Sequence, residues 1–222
     1  MKRMTTIFLA LPLLAGSLTA AEPDKDVKRV KAFVETNITN VLDILKNKKL
    51  DKEERKDKVL AIGDVIFDLP LMAKLSLGRK HWPKFEKAER KKFTDLFVTT
   101  LKASFLDKID LITDEAVEFK TPKRKSKTKF EMMTVVVSKD SRYNMVYKVV
   151  KRKGKWKIYD VEIEGISIVR SYGAQYSQYL KKHSTAELLD KMSKKSFAQP
   201  KALEEKAAEI KKEQAERKKK AK

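Results

Sequence analysis

The sequence predicts an α+β domain: N-terminal helices, a curved antiparallel sheet of about four strands, then C-terminal helices, an arrangement in which a bent sheet under helices can enclose an apolar cavity between them. Apolar residues recur at helical spacing up to about Ile109, at strand spacing from Ala116 to Glu164, and at helical spacing again from Val169. The strand-like runs are joined by short connections, Asp140-Ser141 and Lys153-Gly154, which suit an antiparallel meander. Helices and strands are thus segregated along the chain, as in an α+β rather than an alternating fold.

The chain opens with a secretory signal. Lys2 and Arg3 precede the apolar stretch Ile7 to Leu14, and small residues end in Thr19-Ala20-Ala21, after which cleavage is expected. That stretch is too short to span a bilayer, and no later segment is long and apolar enough. Residues 1–21 are read as a signal peptide, 22–195 as one domain and 196–222 as a charged tail, helical or disordered. There is no cysteine, which excludes a disulfide framework, a lipid-modified N-terminus and a thiolate metal site. The 41% hydrophobic content, with 10 Phe and 6 Tyr, suffices to fill a core without such staples. A net charge of +21 ordinarily raises nucleic acid as a partner. Export argues against nucleic acid and leaves anionic lipid surfaces, acidic envelope polymers or acidic partner proteins.

Val27, Val30, Val34, Ile38, Val41 and Leu45 make one face of a first helix. Asp51 with Glu54 reads as a capping box for a second helix through Val59, Ile62 and Ile66. In "FDLPLMAKLSLG", Pro70 fits the first turn of a short helix carrying Met72 and Leu75, and Gly78 fits its end. From about Lys87 a long fourth helix sets Phe93, Phe97, Leu101, Phe105 and Ile109 in an i, i+4 ridge.

The strands, a short one at Ala116 to Lys120 and longer ones at Lys129 to Lys139, Arg142 to Arg152 and Lys155 to Glu164, alternate poorly. On the second of these, Phe130, Met132 and Val136 have one parity and Met133, Val135 and Val137 the other. Tyr143, Met145, Tyr147 and Val149 form a cleaner face on the next. On the last, Trp156 and Ile158 disagree in parity with Val161 and Ile163, which a bulge near Tyr159-Asp160 reconciles while bending the sheet. Val169, Tyr172, Tyr176 and Leu180 then share a helix face, and Ser184 with Glu187 caps a final turn through Leu188, Leu189 and Met192.

Catalytic chemistry has few candidates. His81 and His183 stand alone, without a second ligand at metal spacing. Asp160, inside an apolar strand, is the candidate base, but a carboxylate at a bulge is expected to accept hydrogen bonds from exposed backbone N–H groups. No nucleophile elbow or glycine-rich phosphate loop occurs, and no catalytic residue, metal or cofactor is assigned. Two basic stretches, "KTPKRKSKTK" and "KRKGK", are candidate docking surfaces for acidic proteins or anionic headgroups, the first through Lys123, Arg124, Lys125 and Lys127.

Phe67 to Gly78, Trp82, the Phe93 to Leu101 helix, and "WKIYDVEIEGISIV" followed by Tyr172, Gln175 and Tyr176 resemble the MlaC and toluene-tolerance family of periplasmic phospholipid-binding proteins, from about residue 24 to 195. The most specific part is Ile163-Glu164-Gly165-Ile166-Ser167 leading into the tyrosine helix. That family carries an arginine after the tyrosine matched by Tyr172; here the position is Gly173, which hands the role to Arg170 or leaves it out. The resemblance implies a monomeric periplasmic carrier holding a phospholipid by its acyl chains. It would pass lipid between an outer-membrane lipoprotein/porin complex and an inner-membrane ABC-type transport complex, maintaining outer-membrane asymmetry. The expected lining comes from Phe67, Met72, Leu75, Phe93, Phe97 and Leu101 of the first helices and from Tyr172 and Tyr176 of the last. The sheet adds Met133, Val135, Met145, Tyr147, Val149, Ile158, Val161, Ile163 and Ile166. The residues themselves leave two other classes open: a small cavity enzyme acting on an apolar substrate, which needs a polar pair in the cavity, and a structural envelope adaptor whose core is filled.

Overall fold

A computed structural model describes residues 24–109, 116–138, 141–195, 197 and 199–220; the leader and the Asp140 turn lie outside them. Helix α1 (Lys25–Lys46) is capped by Asp24, whose side chain accepts from the Asp26 N–H. Helix α2 (Lys52–Ile66) opens on the full Asp51–Glu54 capping box. In α3 (Leu69–His81) the Asp68 carboxylate accepts from Leu71 N–H at 3.1 Å, and Pro70 sits in the first turn, where a missing N–H costs nothing. Gly78 adopts φ 63° inside this span, so the regular helix ends there, as the sequence indicates. A 3-10 turn (Trp82–Lys84) leads to α4 (Lys87–Ile109).

The sheet comprises β1 (Ala116–Phe119), β2 (Lys123–Arg124), β3 (Lys129–Ser138), β4 (Ser141–Arg152), β5 (Lys155–Ile163) and β6 (Ile166–Ser167), and its named strands pair antiparallel in the order β1-β3-β4-β5-β6. Two short strands are additional to the expected four. β2, expected as loop, pairs with β3 on the edge that β1 also occupies, and β6 folds back on the end of β5. The β4–β5 hairpin turns on Lys153 (φ 48°) and Gly154 (φ 76°), both left-handed as a tight two-residue hairpin turn demands. Helices α5 (Ile168–Tyr179), α6 (Thr185–Ser193) and α7 (Lys201–Lys220) complete the chain. The expected bulge is present: Ile158 pairs with Val149 but Asp160 with Lys148, so Tyr159 is the extra residue.

Among the described residues the buried apolar side chains form two cores rather than one. Helices α1 and α2 lie over the covered face of the sheet, and α3 to α6 form a second cluster beyond β5.

Candidate functional site

The bulge brings Trp156, Ile158, Val161 and Ile163 onto the face that carries Tyr147, Val149 and, across β3, Phe130 and Met132. Phe130, Met132, Val149 and Ile158 are fully buried there, under Val30 and Val34 of α1 and Ile66 of α2. In the helical core Met72, Phe93, Phe97, Tyr172 and Tyr176 are buried. Phe93 meets Tyr176 edge-on at 5.3 Å, and Phe97 meets Tyr172 edge-on at 5.5 Å. The expected lining therefore divides between two walls.

Phe67 and Ile168 pack against both cores. Phe67 is fixed by a parallel bridge to Ile158, and the next residue, Asp68, donates its N–H to the Ile158 carbonyl at 2.8 Å. Each core is edged by apolar residues that stay partly exposed: Val98 and Leu101 on the helical side, Ile38, Ile62, Met145 and Ile163 on the sheet side. Met145 pairs with Ile163, and Ile163 with the half-buried Ile166, at the end of the sheet remote from the Lys153-Gly154 hairpin.

Three expected lining residues lie elsewhere. Because Met132 pairs with Tyr147, even-numbered β3 residues take the covered face, and Met133 (42% exposed) and Val135 take the opposite one. Leu75 is 42% exposed because α3 turns Met72, Ala73, Ser76 and Leu77 inward. The outer end of the α4 ridge also reaches solvent, with Phe105 38% exposed. Phe130, Met132, Val30 and Val34, absent from the expected lining, belong to the sheet wall. The parity of Met132 with Phe130 was the signal for the first two.

Asp160, 4% exposed, ties the sheet to α5. It accepts from the Ser167 hydroxyl at 2.6 Å, the Val169 N–H at 3.1 Å and the Lys148 ammonium at 3.1 Å. Its oxygens are thus engaged as a helix and strand anchor, the acceptor role expected of it. Lys148 also donates to Glu162 at 2.6 Å. Burial opposes its charge, but the hydrogen bond it donates to Glu162 and the nearby Asp160 carboxylate outweigh that cost and hold its pKa above the ordinary lysine value. Arg170 ion-pairs with Glu162 at 2.6 Å with its side chain 69% exposed.

Gly173 has a steric reason. A Cβ there would stand 2.6 Å from the Ser76 carbonyl oxygen, so α3 and α5 touch backbone to backbone and no side chain fits. The family's arginine could not occupy this position without parting the helices.

His81 is 5% exposed, and its Nε2 lies 3.0 Å from the Ser177 hydroxyl. Burial first, then Lys80 and Lys84, hold its pKa below the usual value. His183 stacks on Tyr179 at 4.1 Å and meets Glu187. Among the described residues no three His, Asp or Glu side chains gather to hold a metal, and no helix is long and apolar enough to cross a membrane. The Tyr176 hydroxyl is buried and finds no hydrogen-bond partner among the described residues, and burial raises its pKa far above the usual phenol value.

The two basic stretches converge. The Lys151 N–H donates to the Thr128 carbonyl at 2.8 Å, placing the 125–128 turn beside the β4–β5 hairpin. Arg124 is held by Asp24 at 2.6 Å and Lys125 by Glu131 at 3.2 Å. Lys123, Lys127, Lys153 and Lys155 are exposed and pair with no carboxylate among the described residues.

The family model of the MlaC protein matches residues 35–194. No curated protein matches the chain. Among solved structures, the phospholipid-binding protein from Ralstonia solanacearum, determined in complex with a phospholipid, superposes with a TM-score of 0.64 at 19% identity, over 81% of this chain and 97% of that one. That likeness is one of fold. With the family model spanning most of the residues that build both cores, the chain belongs to the MlaC family.

Proposed function

We propose that this protein is a periplasmic phospholipid carrier, monomeric after loss of its leader. It would move lipid between an outer-membrane lipoprotein/porin complex and an inner-membrane ABC-type complex, so maintaining outer-membrane asymmetry. The observation that carries this reading is the seam. Two apolar cores meet through Phe67 and Ile168 and are edged by partly exposed apolar residues, a construction that acyl chains can enter between the sheet wall and the helical wall. The phospholipid in the Ralstonia solanacearum structure supports it. The unpartnered Tyr176 hydroxyl offers a buried donor to a lipid oxygen or a water molecule.

Burial contributes roughly 0.8 kcal/mol per CH₂, so two chains of about sixteen carbons gain on the order of 25 kcal/mol against water. Loss to water is then very slow. Against a bilayer the transfer is from apolar to apolar surroundings, so its net free energy is near zero and partner contacts decide loading and release. Such a protein needs walls and docking surfaces rather than a reacting group, and Asp160, the one candidate base, is engaged as an anchor.

Mass spectrometry of the native protein, with lipid extraction, tests the reading together with two tryptophan variants. Ile163→Trp, at the partly exposed edge, should fold and lose bound phospholipid. Ile158→Trp, fully buried and bridged to Phe67, should instead cost roughly 1–3 kcal/mol through overpacking. No lipid above background, from membranes that contain it, would favour the filled-core adaptor.

A further inference from the structure

Helix α7 lies beyond the matched region 35–194, and its two halves differ. The first half is docked. Leu203 packs on the helical core, and Leu203, Lys206, Ala207 and Ile210 are half-buried at i, i+3, i+4, i+7 spacing, while the residues between them are exposed. Just before it, Phe197 packs on Tyr176 and Tyr179 at 5.3 and 5.5 Å, at the C-terminal end of α5. Farther along, Glu204 comes within electrostatic reach of Tyr172, and Lys206 of Glu164 in the β5–β6 turn. The helix therefore runs back along α5 toward the end of the sheet where Met145, Ile163 and Ile166 lie.

In the second half Lys211, Lys212, Glu213 and Glu216 are all exposed. It carries Lys211, Lys212, Arg217, Lys218, Lys219 and Lys220 against only Glu213 and Glu216. At about 1.5 Å per residue it carries this charge some ~15 Å past Ile210.

We propose that residues 211–220 are an electrostatic arm that docks the protein on an anionic lipid bilayer, with the β5–β6 end facing it. A bilayer suits the arm better than a protein groove for two reasons. Four consecutive residues span more than a full helical turn, so Arg217 to Lys220 share no single face to match against a shaped surface. Beyond Ile210 the half has no apolar anchor larger than alanine, which leaves attraction to a diffuse anionic surface. The orientation rests on the carrier reading, because it assigns the partly exposed apolar end to lipid exchange. The docking does not.

The test uses the full chain and vesicles of phosphatidylcholine with or without phosphatidylglycerol, read by sedimentation. The protein should bind the anionic vesicles, ignore the neutral ones and let go at high salt. The variant Arg217→Gln, Lys218→Gln, Lys219→Gln, Lys220→Gln keeps Leu203 and the docked half, and should bind at least ~tenfold more weakly. Wild-type affinity in that variant overturns the arm, as does its survival alongside failure of a Lys123→Gln, Lys127→Gln, Lys153→Gln, Lys155→Gln variant, which would assign docking to the hairpin end. Absence of vesicle binding at low salt overturns it too. Orientation is read separately on single-cysteine variants of this cysteine-free chain. A fluorophore at Glu164→Cys should be quenched by headgroup-labelled lipid and one at Lys153→Cys should not; the reverse refutes the facing. Lipid content of each sample is measured by mass spectrometry, so an empty carrier that still docks refutes only the function proposed above.

Discussion

Replacing Gly173 with alanine sets two effects against each other. In an open helix interior alanine is favoured over glycine by about 1 kcal/mol. The backbone at Gly173 has ordinary negative φ, so nothing conformational requires glycine there. The obstacle is α3. The new Cβ would stand 2.6 Å from the Ser76 carbonyl oxygen, and ordinary contact begins at 3.4 Å, so the helices must part by roughly 0.8 Å. A carbonyl cannot rotate away as a side chain can, and Ser76 is further held between the buried Ala73 and Leu77. Overpacking costs about 1–3 kcal/mol, and a backbone clash belongs at the upper end, which leaves a net loss of about 2 kcal/mol after the propensity gain. For a domain of this size that is a fall of about 4–8 °C in Tm. The assay is the denaturant midpoint at unchanged m-value, run beside Ala174→Gly on the exposed neighbour, which reports propensity alone as a loss of about 1 kcal/mol. A Gly173→Ala protein as stable as the parent, or more so, would refute the backbone contact and with it the account of the missing arginine.

Asp160→Ala leaves Lys148 with Glu162 alone and strips the acceptor from the Val169 N–H and the Ser167 hydroxyl at the start of α5, and should cost about 3 kcal/mol in a denaturation curve; if Asp160→Asn folds and keeps its lipid, Asp160 is an anchor and not a working base. Lys123→Gln with Lys127→Gln should leave stability within about 0.5 kcal/mol and weaken capture by acidic protein surfaces at low salt. Arg124→Gln, which loses Asp24, should also speed hydrogen exchange in the first turn of α1. Glu187 caps α6 with its carboxyl pulled down to about 2, mainly by the Ser184 backbone and side-chain hydrogen bonds and then by His183. Because the folded value is depressed below the ordinary glutamate value of 4.5, its contribution is complete above that value and is lost as pH falls toward 2. Circular dichroism of Glu187→Gln should lack that part of the acid limb, and an identical limb would remove Glu187 from the cap.

Local signals were the ones legible in sequence. Both capping boxes, the break at Gly78 and the bulge at Tyr159 follow from residues within a few positions of one another, and each occurs as expected. The bulge shows why. Trp156 and Ile158 cannot share a buried face with Val161 and Ile163 unless one residue is skipped. What could not be read depends on distant partners. Met133 and Val135 are as apolar as Met132, and only the pairing of Met132 with Tyr147 decides which parity is covered. Leu75 lies in a run so apolar that periodicity does not orient it, and its side is fixed by where α5 approaches α3. Gly173 looked like a missing arginine, because a backbone contact leaves no trace in one strand of text. Docking of the first half of α7 rests on Leu203 and Ile210, too sparse a stripe to announce itself.

The bridge between Phe67 and Ile158 also bears on how the chain avoids its own copies. An open strand edge recruits strands from other molecules. On the outer side of β5 that edge is occupied at Ile158 by Phe67 and at Glu162–Ile163 by β6, both from the same chain. Among the described residues the opposite side offers only β1 and β2, of four and two residues, with Glu118, Lys123 and Arg124 among them. A folding chain that has formed its hairpins before α2 and α3 settle exposes β5 with its most apolar face still bare. Seating Phe67 is therefore the event that closes the sheet to addition, and the joint between α2 and α3 guards against polymerisation.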